Sequence, residues 1–334
     1  LCFRLLPSVG LAVSLLLGAL LADSAAAASP PAGQALPSPQ ALAPEGPTFR
    51  TEAKLVRVDV QVERKGTPVA GLSARDFVVK DQGKPVELAA FASEAAPLDL
   101  ILLVDVSGSM RNAVAEMVRT AEAALHELEP GDRVALIAFT SAQALIEEFT
   151  TNRNRISVAL ARLTERRMRG GTALYPAIRA AANYAADPKA QVAGESRRRA
   201  IVMVTDNLSQ RERAQERETI RALWEADAVL HGLVIPVAGS FRLVDSVRMP
   251  WTQNREDIRR VVKQTGGEVV EVEKVEREFP AMLRRARLRY ILYYRAPQAD
   301  PGEYRRIEVE LAREARQRTG GKATIRTRPG YYAR

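Results

Sequence analysis

From Leu98 to about Ala286 the chain alternates short, continuously apolar runs with stretches of helical period, and few folds accommodate that pattern. DLILLVDV (99–106) is a continuous apolar run without the in-out alternation of a half-exposed strand, so it reads as a strand buried on both faces, and VALIAFT (134–140), AIVMVTD (200–206), VLHGLVIPV (229–237) and EVVEV (268–272) read as further strands. Between them Val114, Met117, Val118, Ala121, Leu125 and Leu128 keep helical spacing until Pro130-Gly131. Further helices are expected through Ile156, Leu160 and Leu163, and over Ala173–Ala186, Ile220–Ala226, Ile258–Lys263 and Phe279–Ala286. An edge strand is expected over Ala144–Phe149. The pattern predicts an α/β fold with a doubly wound, mostly parallel sheet and helices on both faces.

The flanks follow a different period. Leu55, Val58, Val60 and Val62 stand among polar neighbours, and strand-like runs recur at Phe77–Lys80 and Val86–Phe91, separated by Gly66, Gly71 and Gly83. Beyond Ala286, LRYILYYR, RIEVELA and ATIRTR read as three more strands. Neither flank has enough strands to bury two faces, so the expectation is one β-sandwich assembled from both. At the start, Arg4 precedes an apolar stretch from Val9 to Leu21 and an Ala-rich exit, the order of a secretory signal peptide cleaved near Ala28. The Pro- and Ala-rich residues after it read as a disordered tether. The expected organisation is a signal peptide (1–28), a linker (29–47), an N-terminal β segment (48–97), the α/β body (98–286) and a C-terminal β segment (287–334).

The sole cysteine, Cys2, would leave with the signal, so the mature chain has no disulfide and depends on packing or metal binding. No later run is long and apolar enough for a transmembrane segment. The formal charge of +9 admits an anionic envelope surface as a partner. No nucleic-acid motif accompanies the arginine clusters at Arg197–Arg199 and Arg284–Arg289, which read as solvated faces.

Chemistry concentrates at Asp105-Val106-Ser107-Gly108-Ser109, at the carboxyl end of the first buried strand. Ligands of open α/β sheets bind at that end. One carboxylate and two hydroxyls within five positions are hard oxygen donors, suited to a hard cation. Taken alone, the motif is as readily a helix cap. Two further oxygen donors favour a site: Thr172 after Gly170-Gly171, and Asp206 at the end of AIVMVTD. Asp105, Ser107, Ser109, Thr172 and Asp206 are therefore the candidate metal residues, with Mg²⁺ the first choice and Mn²⁺ or Ca²⁺ as alternatives.

This constellation resembles the von Willebrand factor type A family, whose metal-ion-dependent adhesion site pairs D-x-S-x-S with a later threonine and a later aspartate. The resemblance covers about Leu98 to Ala286. It implies that Ser107, Ser109 and Thr172 offer hydroxyls to the metal, with Asp105 and Asp206 mostly acting through water. It implies an adhesion or assembly protein in which a partner's Asp or Glu carboxylate completes the metal's shell. Asn207 stands where the family often has glycine, and asparagine tolerates the left-handed backbone such a position needs. The flanks GTPVAGLSARDFVVKDQGKPVELAAF and PGEYRRIEVELA look like the von Willebrand factor A-related proteins of acidobacteria.

Other classes find less support. A phosphoryl-transfer enzyme with an aspartyl nucleophile usually places a second aspartate where Ser107 stands. A serine hydrolase needs a G-x-S-x-G elbow and a nearby base, and His126 and His231 are the only histidines. A metal-dependent hydrolase and a structural envelope protein binding anionic polysaccharide are the alternatives to a non-enzymatic adhesion protein. In the long connection after VLHGLVIPV, Met249 and Trp251 are the candidate partner contacts, being large apolar side chains expected on the same face as Asp105.

Overall fold

A computed structural model of the chain describes residues 55–93, 96–165, 171–192, 197–209, 213–236, 256–272, 275–320 and 322–333. The expected signal peptide and linker lie outside the described residues, as do Met249 and Trp251.

The body is built on a six-stranded sheet. Its strands are β6 (Leu98–Asp105), β7 (Arg133–Phe139), β8 (Gln143–Thr150), β9 (Arg198–Thr205), β10 (Ala228–Val234) and β11 (Val269–Glu271), in the order β11-β10-β9-β6-β7-β8. All neighbours pair in parallel except β8, an antiparallel edge strand on β7. Every residue of β6 is buried, as its unbroken apolar run demands. One face is covered by α1 (Arg111–Leu125), α2 (Arg153–Glu165) and α6 (Val275–Arg287), the other by α3 (Leu174–Ala186), α4 (Glu216–Glu225) and α5 (Ile258–Thr265). Their apolar stripes meet the two faces of the same strands. From β6 the chain first steps to β7 and later returns on the other side through β9. The reversal opens a crevice between β6 and β9, where Asp105 and Asp206 emerge.

The flanking strands do not stay with their own segment. In one sheet β1 (Leu55–Arg64) lies between β12 (Tyr290–Arg295) and β14 (Ala323–Arg326), with β5 (Leu88–Ala92) beyond β12 and the two-residue β2 (Thr67–Pro68) on β1. In the other, β13 (Tyr304–Leu311) pairs with β3 (Phe77–Asp81) and β15 (Gly330–Tyr332), and β4 (Lys84–Val86) closes the edge. Both sheets bury one shared cluster that includes Val58, Val60, Phe77, Val79, Leu292, Tyr294 and Ile307. The two flanks thus contribute to common sheets. The phase of β1 differs from expectation at its start: Val56 faces the core, and Leu55 is exposed. The helix α7 (Arg313–Arg318) was not expected from the sequence, since six residues with only Ala315 buried show no helical period.

These strands meet the amino ends of the parallel sheet, opposite Asp105. There Arg198, fully buried on β9, donates its amide to the Pro97 carbonyl and its side chain to the Arg289 carbonyl. Asp99 takes Arg133 and Arg197, Asp132 takes Arg287, and Asp59 takes Arg289. The arginine clusters expected to be solvated faces are therefore partly buried: Arg197, Arg198, Arg287 and Arg289 are each exposed by less than a tenth. Buried cations persist because each finds acceptors at the seam.

Candidate functional site

Asp105 ends β6 with no exposed surface. Its Oδ1 accepts the amide of Ser107 at 2.9 Å and its Oδ2 the hydroxyl of Thr205 at 2.8 Å. Burial raises its pKa to about 6, against the pull of these two donors, and the charge of Asp206 adds to the rise. Both carboxylate oxygens are thereby held on the protein side of the crevice.

The hydroxyls are not spent on helix capping. Ser107 precedes a 3-10 turn at Gly108–Met110 and makes no side-chain cap bond, and neither does the residue that opens α1. Ser109 Oγ instead donates to Asp206 Oδ2 at 2.6 Å, and Ser107 Oγ lies 3.2 Å from Ser109 Oγ. A hydroxyl has one proton and two lone pairs. With Ser109's proton committed to Asp206, any hydrogen bond between the two serines has Ser107 as its donor. Lone pairs of both oxygens remain for a cation, with the carboxylates behind them.

Asp206 also does the turn work expected of a loop-opening aspartate, its Oδ1 accepting the amide of Leu208 at 2.9 Å. Asn207 adopts φ 58°, the left-handed conformation anticipated for it. Its side chain does more than tolerate that backbone. Nδ2 donates to Asp257 Oδ1 at 2.9 Å and Oδ1 accepts the amide of Ile258 at 3.1 Å, clamping the loop to the start of α5.

Thr172 lies on the neighbouring loop, buried, and is not the cap of α3. The amide of Ala173 donates to the Thr140 carbonyl just after β7, which carries Thr172 to the carboxyl end of the sheet. The free amide of Leu174 is taken by Glu256 Oε2 at 2.8 Å. The same oxygen accepts Ser209 Oγ at 2.8 Å, and Ser209 also reaches the Thr172 carbonyl at 3.1 Å. One buried carboxylate, Glu256, thus joins the threonine loop to the loop that carries Asp206.

Hydrogen bonds link Asp105 to Ser107, Ser107 to Ser109 and Ser109 to Asp206, while Thr172 is tied to this group through Ser209 and Glu256 rather than by its own hydroxyl. The sequence reading missed Thr205, Ser209, Glu256 and Asp257. Thr205 was adjacent to a named residue. Glu256 follows a connection of no regular pattern, so nothing in its spacing marks it.

Among the described residues no group of three or more His, Cys, Asp or Glu side chains could hold a metal ion. A cation at this crevice would therefore rely on hydroxyls. Two carboxylates with three hydroxyls, all oxygen, suit Mg²⁺, Mn²⁺ or Ca²⁺ and not a soft metal.

A doubly wound sheet with an oxygen-lined crevice at its switch point defines a class of ligand-binding α/β domain. Residues 100–209 match the family model of the von Willebrand factor type A domain, so the chain carries such a domain there, with all five candidate residues inside it. Solved structures similar to this chain include an aerotolerance-related membrane protein from Bacteroides fragilis, at 18% identity over 57% of this chain and 98% of that one, TM-score 0.43. A von Willebrand factor type A protein from Catenulispora acidiphila is similar at 13% identity over 83% and 73%, TM-score 0.45. BatB from Bacteroides thetaiotaomicron is similar at 18% identity over 56% and 96%, TM-score 0.39. No curated protein matches the chain.

Proposed function

We propose that this is an exported, non-enzymatic protein that binds one divalent cation, Mg²⁺ first among the candidates, and through it engages an Asp or Glu carboxylate of a partner protein. The observation that carries the reading is the Ser109 to Asp206 hydrogen bond at 2.6 Å with Ser107 beside it, which gathers two hydroxyl oxygens next to an anchored carboxylate at the carboxyl end of the sheet. Ser107, Ser109 and Thr172 would hold the cation directly, with Asp105 and Asp206 behind them. A bound divalent ion supplies a positive centre at which a partner's carboxylate can replace water. Thr205 and the Ser107 amide orient Asp105, the Leu208 amide orients Asp206, and Glu256 sets the position of the Thr172 loop.

The histidines offer no base here. His126 follows the far end of α1, about 22 Å along the helix from the crevice. His231 is fully buried within β10, where both ring nitrogens face protein. Export rests on the leader-like order of residues 1–28, and among the described residues no helix is long and apolar enough to cross a membrane. Met249 and Trp251 are the proposed partner contacts.

Calorimetry with Mg²⁺ and Mn²⁺ tests the first half: one site is expected, lost in Asp105→Ala and in Ser109→Ala, and equal binding by both variants would refute it. Capture of partners from envelope extracts with Mg²⁺ against EDTA tests the second half. Capture that EDTA leaves unchanged would remove the cation from the interface. Trp251→Ala should weaken capture while leaving metal affinity as it was.

A further inference from the structure

One end of the β-sandwich is closed by α7, which carries the chain from β13 to β14 and buries Ala315 in the sandwich core. Ala312, just before the helix, donates its amide to the Asp76 carbonyl, and Arg318 in its last turn donates to Asp76 Oδ1 at 2.5 Å. The helix thereby lies against the 3-10 turn Ala74–Asp76. Beyond the helix Gly320 turns left-handed at φ 77°, and the guanidinium of Arg64 lies over it, so that a Cβ on Gly320 would stand 2.8 Å from Nη2. Arg64 ends β1, Lys65 follows it, and Lys322 precedes β14, whose Ala323 pairs with Arg64. With Ala315 turned inward, Arg313 and Arg316 share the outer side of α7.

This end of the sandwich is therefore strongly cationic. The side chains of Arg64, Lys65, Arg75, Arg313 and Lys322 are exposed and make no hydrogen bond or ion pair among the described residues. The carboxylates beside them are already engaged. Asp76 is buried and held by Arg318, Glu63 is buried and held by Arg326, and Glu310 is shared between Lys80 and Arg316. On other surfaces exposed arginines stand beside a carboxylate, as Arg221 does with Glu225 and Arg306 with Glu308. Uncompensated cations gathered in one place repel each other, and an external anion relieves that repulsion.

The composition of the surface selects the anion. Among the described residues none of the exposed large apolar side chains, Tyr304 and Tyr332 included, belongs to it. Sugar rings and bases are gripped largely by stacking on exposed aromatic rings, which this surface does not offer. It offers charge alone, much of it as arginine forks that match phosphate oxygens. We propose that this end of the sandwich rests on a membrane surface rich in anionic phospholipid, its cations set against the headgroup phosphates. The formal charge of +9 admits an anionic partner without locating it, whereas the fold gathers the residues that would meet it. None of them lies in the oxygen-lined crevice, so the proposal stands apart from cation binding there.

The test uses the full chain in EDTA, so that no divalent ion bridges protein to lipid. The chain is mixed with vesicles of phosphatidylglycerol and phosphatidylcholine, or of phosphatidylcholine alone, and its lysines are lightly acetylated. Lys65 and Lys322 should lose reactivity on the anionic vesicles only, while Lys84 and Lys189, exposed on other surfaces, keep theirs. The apolar residues 9–21 partition into either vesicle alike, so the comparison isolates charge. Protection should vanish at roughly 0.5 M salt, where screening confines the attraction to a few ångströms. Lys65→Glu, Arg313→Glu and Lys322→Glu combined should cut affinity for the anionic vesicles by roughly a hundredfold or more, with the melting temperature unchanged. Unaltered reactivity of Lys65 and Lys322 on anionic vesicles, equal protection by both kinds of vesicle, or undiminished affinity of the triple variant would overturn the assignment. Protection by polygalacturonate and not by vesicles would overturn it in favour of an acidic polysaccharide. The footprint needs no variant to fold.

Discussion

Glu256 is the residue whose role is most out of proportion to its visibility. Its single oxygen Oε2 satisfies both a helix-start amide and a serine hydroxyl from another loop, and the side chain is almost wholly buried. Replacement by glutamine keeps the volume and removes the charge that strengthens both bonds. Glu256→Gln should weaken Mg²⁺ binding by about tenfold, as expected when a group supporting metal ligands is altered, with the far-UV spectrum unchanged. Unaltered affinity in calorimetry would mean that the threonine loop holds its own position. Asn207 allows a sharper dissection, because it combines a left-handed backbone with two side-chain bonds. Asn207→Gly keeps the backbone and loses the bonds, costing about 1–2 kcal/mol. Asn207→Ala adds the left-handed strain of roughly another 1 kcal/mol. Urea denaturation should rank the three forms in that order, and alanine as stable as glycine would show that the backbone strain is absorbed.

At the level of elements, β1 is the strand on which the flanking sheets depend. It has β12 on one side and β14 on the other, both from the far end of the chain. A chain ending at Ala286 loses both neighbours, so hydrogen exchange should find the amides of Leu55–Arg64 unprotected. Persisting protection would show that the N-terminal strands fold by themselves. The opposite sheet is bound to this one by Asp81 on β3, which is buried and accepts Tyr294 Oη at 2.8 Å, Tyr331 Oη at 2.9 Å and Arg305 Nε at 2.8 Å. Asp81→Ala leaves a buried guanidinium and two phenols without their acceptor, for an expected loss of about 3–5 kcal/mol. A loss below about 1 kcal/mol in chemical denaturation would mean that water replaces the carboxylate readily.

Across the whole molecule, burial of tyrosines sets an alkaline limit. Burial pushes Tyr175 and Tyr331 up to about 12, and Tyr294 is raised by burial and by its bond to Asp81. The unfolded chain ionises these groups near 10. Their contribution to stability is therefore complete below pH 10 and is lost as the pH rises from 10 toward 12 and beyond. Tyrosinate absorbance should show a late class of groups among the eight tyrosines that ionises together with unfolding. Eight groups titrating smoothly around pH 10 would contradict this.

The sequence by itself determined the α/β body, because an apolar run with no polar alternation can be satisfied only by burial on both faces, as every position of β6 is. It also pointed to five oxygen-bearing residues at one end of that sheet, for a related reason. Asp105, Ser107, Ser109, Thr172 and Asp206 sit at strand ends or helix starts, and such positions converge in an open parallel sheet. Tertiary structure alone decided what lay across long separations in the chain. The polar face of β1 looked like one destined for water, yet Gln61 and Glu63 are buried against partners from the far end of the chain. Glu256 became part of the site only because the start of α5 packs beside that of α3. Periodicity reports whether one face of an element is apolar. Which polar face is sealed by a distant charge of opposite sign depends on pairings that no local pattern encodes.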